Sequence, residues 1–234
     1  MIKDDTRKRL LAIEKKYDCE TAIAVAKESL KVASKDKTFK QQFNGEVCET
    51  VLEMLLQKEA GERPGDFFYM KGVVLPDAET LSDFLTEIDF VIVTSTCVYC
   101  IECKSYAGDK VVSGNGTVTI KKTGKSRDVF AQNEMHLEVL DKLLRPFGKK
   151  PVYQMLLFDF SVGSITDERS ERAKRIFPVV NEKSIVEYLR KPKSGIWDYD
   201  GLYLAKKKIM TFSEKNRSRH LKYVQGLHGG DDSE

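Results

Sequence analysis

The chain has 234 residues, 41% of them hydrophobic and 32% charged, which is enough to bury the core of one large domain with extensions. No run approaches the roughly 20 apolar residues of a membrane span, and Met1 to Asp5 lead into charged helix rather than a signal-peptide apolar region, so a cytoplasmic protein with no membrane partner is expected. The formal charge of +3 permits a polyanionic partner without requiring one.

In chain order, residues 3 to 35 are rich in Lys, Glu, Ala and Leu, with Leu10, Ile13 and Tyr17 at helical spacing, and read as one or two helices. A second helical stretch runs from Phe39 to Gln57, where Phe43, Val47, Val51 and Leu55 repeat every four residues; Gly61 to Gly65 end it. Phe67 to Leu75 is a predicted strand with Pro76-Asp77 as its exit. Glu87 to Val93 and Val98 to Lys104 are β-branched and apolar on both faces, as central strands are, with Ser95-Thr96 as the reversal between them. Val111 to Ser113 and Thr117 to Ile120 flank Gly114-Asn115-Gly116, the turn chemistry of a hairpin. Arg127 to Leu144 is a predicted helix with an inward stripe of Met135, Val139, Leu140 and Leu143, on which Gln132 also falls; Pro146-Phe147-Gly148 stop it. Strands at Val152 to Phe160 and near Phe177 to Val180 follow, then a helix at Ile185 to Arg190 and a basic helix at Ser213 to Gln225. The tail from Gly229 reads as disordered. The alternation of strands and helices gives an α/β fold around a central mixed sheet flanked by helices.

Side chains alternate faces along a strand, so Glu102 and Lys104 share one face. If Ser95-Thr96 is a symmetric turn, Thr94 faces Cys97 and counting outward sets Asp89 opposite Glu102, with β-carbons about 5 Å apart. Two carboxylates and a lysine in an otherwise apolar sheet are costly unless something neutralises them, and a hard divalent cation does so. The bland alternative is a plain interstrand salt bridge between Lys104 and one of the acids.

At these residues the sequence resembles the nuclease-related domain (NERD) family of the PD-(D/E)XK restriction-endonuclease-like superfamily. The likeness begins at Gly45-Glu46, continues at Ile88 to Val93 and at Tyr99 to Gly108, and ends at Gln132. Each piece alone is a weak signal; their order is specific. The resemblance implies a restriction-endonuclease-like sheet and a Mg²⁺- or Mn²⁺-dependent deoxyribonuclease, an endonuclease or a nickase. By it, Asp89, Glu102 and the backbone carbonyl of Cys103 would hold metal and Lys104 would serve the attacking water. Glu46 would complete the metal shell or hold a water, and Gln132 would orient the lysine or a phosphate. The stretch between Glu46 and Asp89 is long for the family, and Glu49 rivals Glu46 as the helical acid. The resemblance gives residues 1–38 as a helical N-terminal extension, 39–160 as the nuclease core and 161–234 as a C-terminal extension ending in the basic helix.

Other motifs carry less. Cys97, Cys100 and Cys103 suggest a metal cluster, but on a strand Cys100 faces away from the other two; with Cys19 and Cys48 they make an odd count of expected free thiols. Gly124-Lys125-Ser126 resembles the end of a P-loop whose first glycine is missing, since Thr119 stands there. His136, His220 and His228 are scattered, and His136 reads as a helix-surface residue within reach of substrate. Trp197 and Tyr199 could stack bases, though packing is the default. Basic clusters at Lys3 to Lys16, Lys27 to Lys40, Lys121 to Arg127 and Lys206 to Lys222 are each as well explained as solvated faces; together they favour phosphate contacts. Nucleic acid, DNA by the resemblance, is thus the expected partner. Cutting both strands needs two sites or sequential nicks, which leaves a homodimer open. The competing reading is a non-catalytic nucleic-acid-binding or protein-interaction module on the same fold.

Overall fold

The computed structural model describes residues 2–33, 40–76, 85–145, 152–191, 193 and 198–228. The N-terminal stretch forms two helices, α1 (Ile2–Lys16) and α2 (Cys19–Ala33). Asp18 separates them, its side chain accepting the Thr21 N–H, and Tyr17 stands exposed at the break instead of extending the Leu10–Ile13 stripe. The helix α3 (Lys40–Glu62) continues past the expected Gln57 and buries Val47, Val51 and Leu55 as the four-residue repeat requires.

Five strands form the main sheet in the order β1-β2-β3-β7-β9: β1 (Phe67–Pro76), β2 (Leu85–Thr94), β3 (Cys97–Lys104), β7 (Val152–Asp159) and β9 (Val179–Val180). The first three are antiparallel neighbours, whereas β7 lies parallel to both β3 and β9, so the sheet is mixed. Ser95-Thr96 is the reversal, with Val93 opposite Val98 and Phe90 opposite Ile101. A second sheet, β6-β5-β4-β8, is built from β4 (Lys110–Val112), β5 (Thr117–Ile120), β6 (Ser126–Asp128) and β8 (Ile165–Asp167). The Gly114 to Gly116 hairpin is present. Gly124-Lys125 turn β5 into β6 and open no helix, which removes the P-loop reading.

Helices cover both faces of the main sheet. On one, α1, α2, α3 and α6 (Ile185–Arg190) enclose a core containing Phe67, Phe90, Ile92, Tyr99, Ile101, Leu156 and Phe158. On the other, α4 (Val129–Leu144) and α7 (Tyr199–His228) pack on Val73, Val91, Val93, Val98 and Cys100. The short α5 (Glu171–Ile176) and β8 were not foreseen, nor was the length of α7, which begins well before Ser213. Leu202, Ala205 and Ile209 are its buried stripe. Among the described residues no helix is long and apolar enough to cross a membrane. Pro146 to Gly148, Trp197 and the tail from Gly229 lie outside the described residues, as does the Tyr199 side chain.

Candidate active site

Lys71 opposite Phe90 and Val73 opposite Ile88 bracket Gly72 and Asp89 in the β1–β2 register. Gly72 has φ of +60°, a conformation that favours glycine, and a Cβ there would press on Glu87 Oε1 at 3.1 Å. On the other side of β2, one step beyond the Phe90–Ile101 pair sets Asp89 across from Glu102. Asp89 Oδ2 accepts the backbone N–H of Cys103 at 2.7 Å. The N–H and C=O of one strand residue point to the same side, so the Cys103 carbonyl also turns toward β2 and Asp89.

Glu102 is 2% exposed. Its Oε1 accepts from Lys104 Nζ, while Oε2 is buried with no hydrogen-bond partner of standard geometry among the described residues. Burial, then the charge of Glu102, pushes the Asp89 carboxyl up to about 8 against the opposing help of Cys103 N–H and Lys104. Burial also raises Glu102, countered by Lys104 and by hydrogen bonding from the Gln132 side chain. Lys104 is itself raised: burial works against its charge, but Glu102 and Asp89 outweigh it.

Of the two candidate helical acids on α3, it is Glu49 that acts on this group. Glu46 is buried at 9% exposure, and its carbonyl accepts from Thr50 Oγ1. Glu49, one turn on, is half-buried; its charge adds to the raising of both Asp89 and Glu102, and it pairs with Lys71 at 3.2 Å. Cys48 lies between them, its thiol directed at Lys104 O and Phe158 O.

From the opposite face α4 contributes a polar row. Gln132 is exposed; Val139 and Leu140 are buried as expected, but Asn133, His136 and Leu144 complete the inward stripe in place of Met135 and Leu143, which are only partly buried. Cys100 Sγ donates to Asn133 Oδ1 at 3.4 Å, and His136 Nε2 lies 2.7 Å from Thr86 Oγ1. His136 is therefore not the surface histidine the sequence suggested. Burial, followed by the charge of Lys104, drives its imidazole down to about 4, which keeps it neutral.

Next to Lys104 in the β3–β7 register stands Asp159, paired at 3.5 Å with the wholly buried Lys110. Lys110 also donates to the carbonyls of Tyr106 and Gly108 and to Ser161, fixing the turn that follows Lys104. Neither residue was singled out in the sequence. The signal available was Asp159 at the end of an apolar strand run, at the same end of the sheet as Lys104.

Asp89, Glu102 and the Cys103 carbonyl offer hard oxygens of the kind Mg²⁺ or Mn²⁺ takes, and the buried, poorly satisfied Glu102 oxygen and the raised Asp89 are what a cation would relieve. No cluster of three or more His, Cys, Asp and Glu side chains spaced for a metal exists among the described residues, so such an ion would rest on two carboxylates and backbone. All five cysteines are free; Cys97 and Cys103 face the α3 core and Cys100 the α4 core.

Neither a curated protein nor a solved structure matches this chain. The family model described as "Nuclease-related domain" matches residues 42–159, just over half of the chain and the stretch that carries Glu46, Asp89, Glu102, Lys104 and Gln132. On that match the chain belongs to the nuclease-related domain (NERD) family.

Proposed function

We propose that this chain is a divalent-metal-dependent nuclease of PD-(D/E)XK type that hydrolyses phosphodiester bonds in DNA, as an endonuclease or a nickase. The observation that carries the reading is the buried Glu102 oxygen, which meets no hydrogen-bond partner of standard geometry among the described residues, in a group with Asp89 and Lys104 inside a nuclease-related domain. A group so costly to bury is better explained by what it binds than by what it stabilises.

In this reading Asp89, Glu102 and the Cys103 carbonyl would hold Mg²⁺ or Mn²⁺. The ion supplies Lewis acidity and a template for the phosphate when bound. Asp89 also keeps its bond to Cys103 N–H, which fixes the carboxyl on the strand end. The raised Lys104 is a cation at neutral pH, so it would donate to the charge that builds on the phosphoryl oxygens and not begin as a base; the proton of the attacking water would pass to the helical carboxylate, Glu46 or Glu49, or to solvent. Gln132 steadies Glu102 and is exposed enough to meet a phosphate. The helical acid is Glu46 or Glu49, and the action of Glu49 on both carboxylates favours it as a partner in holding water.

One observation favours a second reading, a nucleic-acid-binding module without catalysis. Lys104 closes on Glu102, and a lysine–carboxylate pair satisfies half of that acid without metal. Labelled duplex DNA, single-stranded DNA and RNA of one sequence, incubated with Mg²⁺, Mn²⁺ or EDTA, separate the two. Metal-dependent breakage of DNA supports the nuclease; binding to all three with no breakage supports the module.

A further inference from the structure

Helix α7 lies wholly outside the matched residues 42–159, yet it holds most of the chain's excess charge. It carries seven Lys and Arg against two Asp and Glu, a formal +5; the rest of the chain has 32 basic and 34 acidic residues, a formal −2. Its apolar stripe of Leu202, Ala205 and Ile209 is spent on the sheet, which leaves the basic side facing solvent. Lys207, Lys215 and Arg217 are exposed, and neither Lys207 nor Lys215 enters an ion pair among the described residues.

The helix also runs past the candidate active site. Arg217 donates to the carbonyl of Gly72 at 3.3 Å, across β1–β2 from Asp89, and His220 meets Glu87, two residues before Asp89, at 3.1 Å. Between β1 and α7 a cleft of about 370 Å³ is lined by Lys71, Lys206 and Arg217, with Tyr69 and Ser213, against Glu214. Lys207 and Lys215 are eight residues apart, about 12 Å along the axis, which spans several phosphates of one strand.

We infer that α7 is the phosphate-binding track of this protein, holding the backbone of nucleic acid so that a strand passes Asp89. The identity of the polyanion rests on the nuclease reading. The track would act by charge without reading bases, since Lys side chains bind phosphates as point charges. Exposed Tyr203 and Phe212, interleaved with the lysines, offer surfaces for unpaired bases. A lipid surface fits less well, because the stripe of Leu202, Ala205 and Ile209 is already buried in the protein and the exposed Leu204, Met210 and Leu221 are interrupted along the helix by Lys207, Glu214 and Arg217.

The test is fluorescence anisotropy of a labelled 20-base-pair duplex with the full chain in EDTA, from 50 to 200 mM NaCl, comparing wild type with K207E/K215E. The double variant is expected to bind about tenfold more weakly or worse, with the salt slope reduced by about 2. Both positions are exposed, so circular dichroism and melting temperature should not move. Equal affinity and slope in the two proteins would overturn the track, as would binding to phosphatidylserine vesicles in place of DNA. Adding Mg²⁺ to the same samples reports on the nuclease reading separately. Charge-dependent binding without cleavage removes the nuclease and keeps the track; cleavage with unchanged binding does the reverse.

Discussion

Asp89 is held in a position that opposes its own charge, half-buried, facing a second carboxylate and fixed by one backbone N–H. Its folded pKa of about 8 lies above the unfolded 3.8, so in metal-free protein its contribution to stability is present below 3.8 and lost as pH rises to 8. Asp89→Asn keeps an acceptor for Cys103 N–H and removes the charge. In EDTA at pH 9 it should melt higher than wild type, while metal-dependent cleavage falls by on the order of a hundredfold or more, since even outer-shell changes cost 10- to 100-fold. His136 has the opposite sign. With a folded pKa of about 4 against 6.5 unfolded, the stability it contributes above 6.5 is lost as pH falls toward 4. Urea denaturation at pH 4.5 and 7 should show wild type losing about 2 kcal/mol more than His136→Gln, in line with 1.4 kcal/mol per pKa unit. The Asp89–Glu102 alignment was legible because strand parity and one symmetric turn fix it. Buried Asn133 and His136 were not, because polar residues on α4 gave no apolar signal to place them on the inward stripe.

At the scale of elements, the two sheets are joined where the strands end. Gly108 N–H donates to Val162 O, and Gly163, at φ +118°, passes so close that a Cβ would sit 2.5 Å from Gly108 backbone atoms. Backbone cannot give way there as a side chain can. Gly163→Ala should therefore lower stability by more than about 2 kcal/mol, measured by urea denaturation, and disturb the turn after Lys104 with it. The edge strand β1 is covered by α7: Val74 N–H donates to Ser213 Oγ at 3.0 Å and Arg217 to Gly72 O. Ser213→Ala leaves that buried N–H without a partner and should cost about 1–3 kcal/mol by the same measurement. Long strands and hairpin glycines declared themselves in the sequence. β8 and α5 did not, being too short for a period to show. The first turns of α7 were missed because Lys206 to Lys208 hid a stripe whose large side chains, Leu202 and Ile209, stand two turns apart with only the small Ala205 between them.

At the scale of the whole molecule, the residues matched by the family do not enclose their own cores. Leu10, Ala22, Ala26 and Leu30 from the N-terminal helices and Ile185 and Leu189 from α6 complete one side of the sheet; Leu202, Ala205 and Ile209 of α7 complete the other. A fragment of residues 39–160 should accordingly show no cooperative thermal transition by circular dichroism where the full chain shows one. We propose that the extensions serve the core twice, by closing its faces and, through α7, by presenting the substrate to it. At the centre of that proposal, the acids and lysine at the end of β2 and β3 cut DNA with a metal. The most direct measurement is the conversion of supercoiled plasmid by the full chain in Mg²⁺ or Mn²⁺, beside Asp89→Asn, Lys104→Ala and an EDTA control. The account predicts relaxed or linear product from wild type only, in the presence of metal only; cleavage that survives in either variant, or none by wild type, would contradict it.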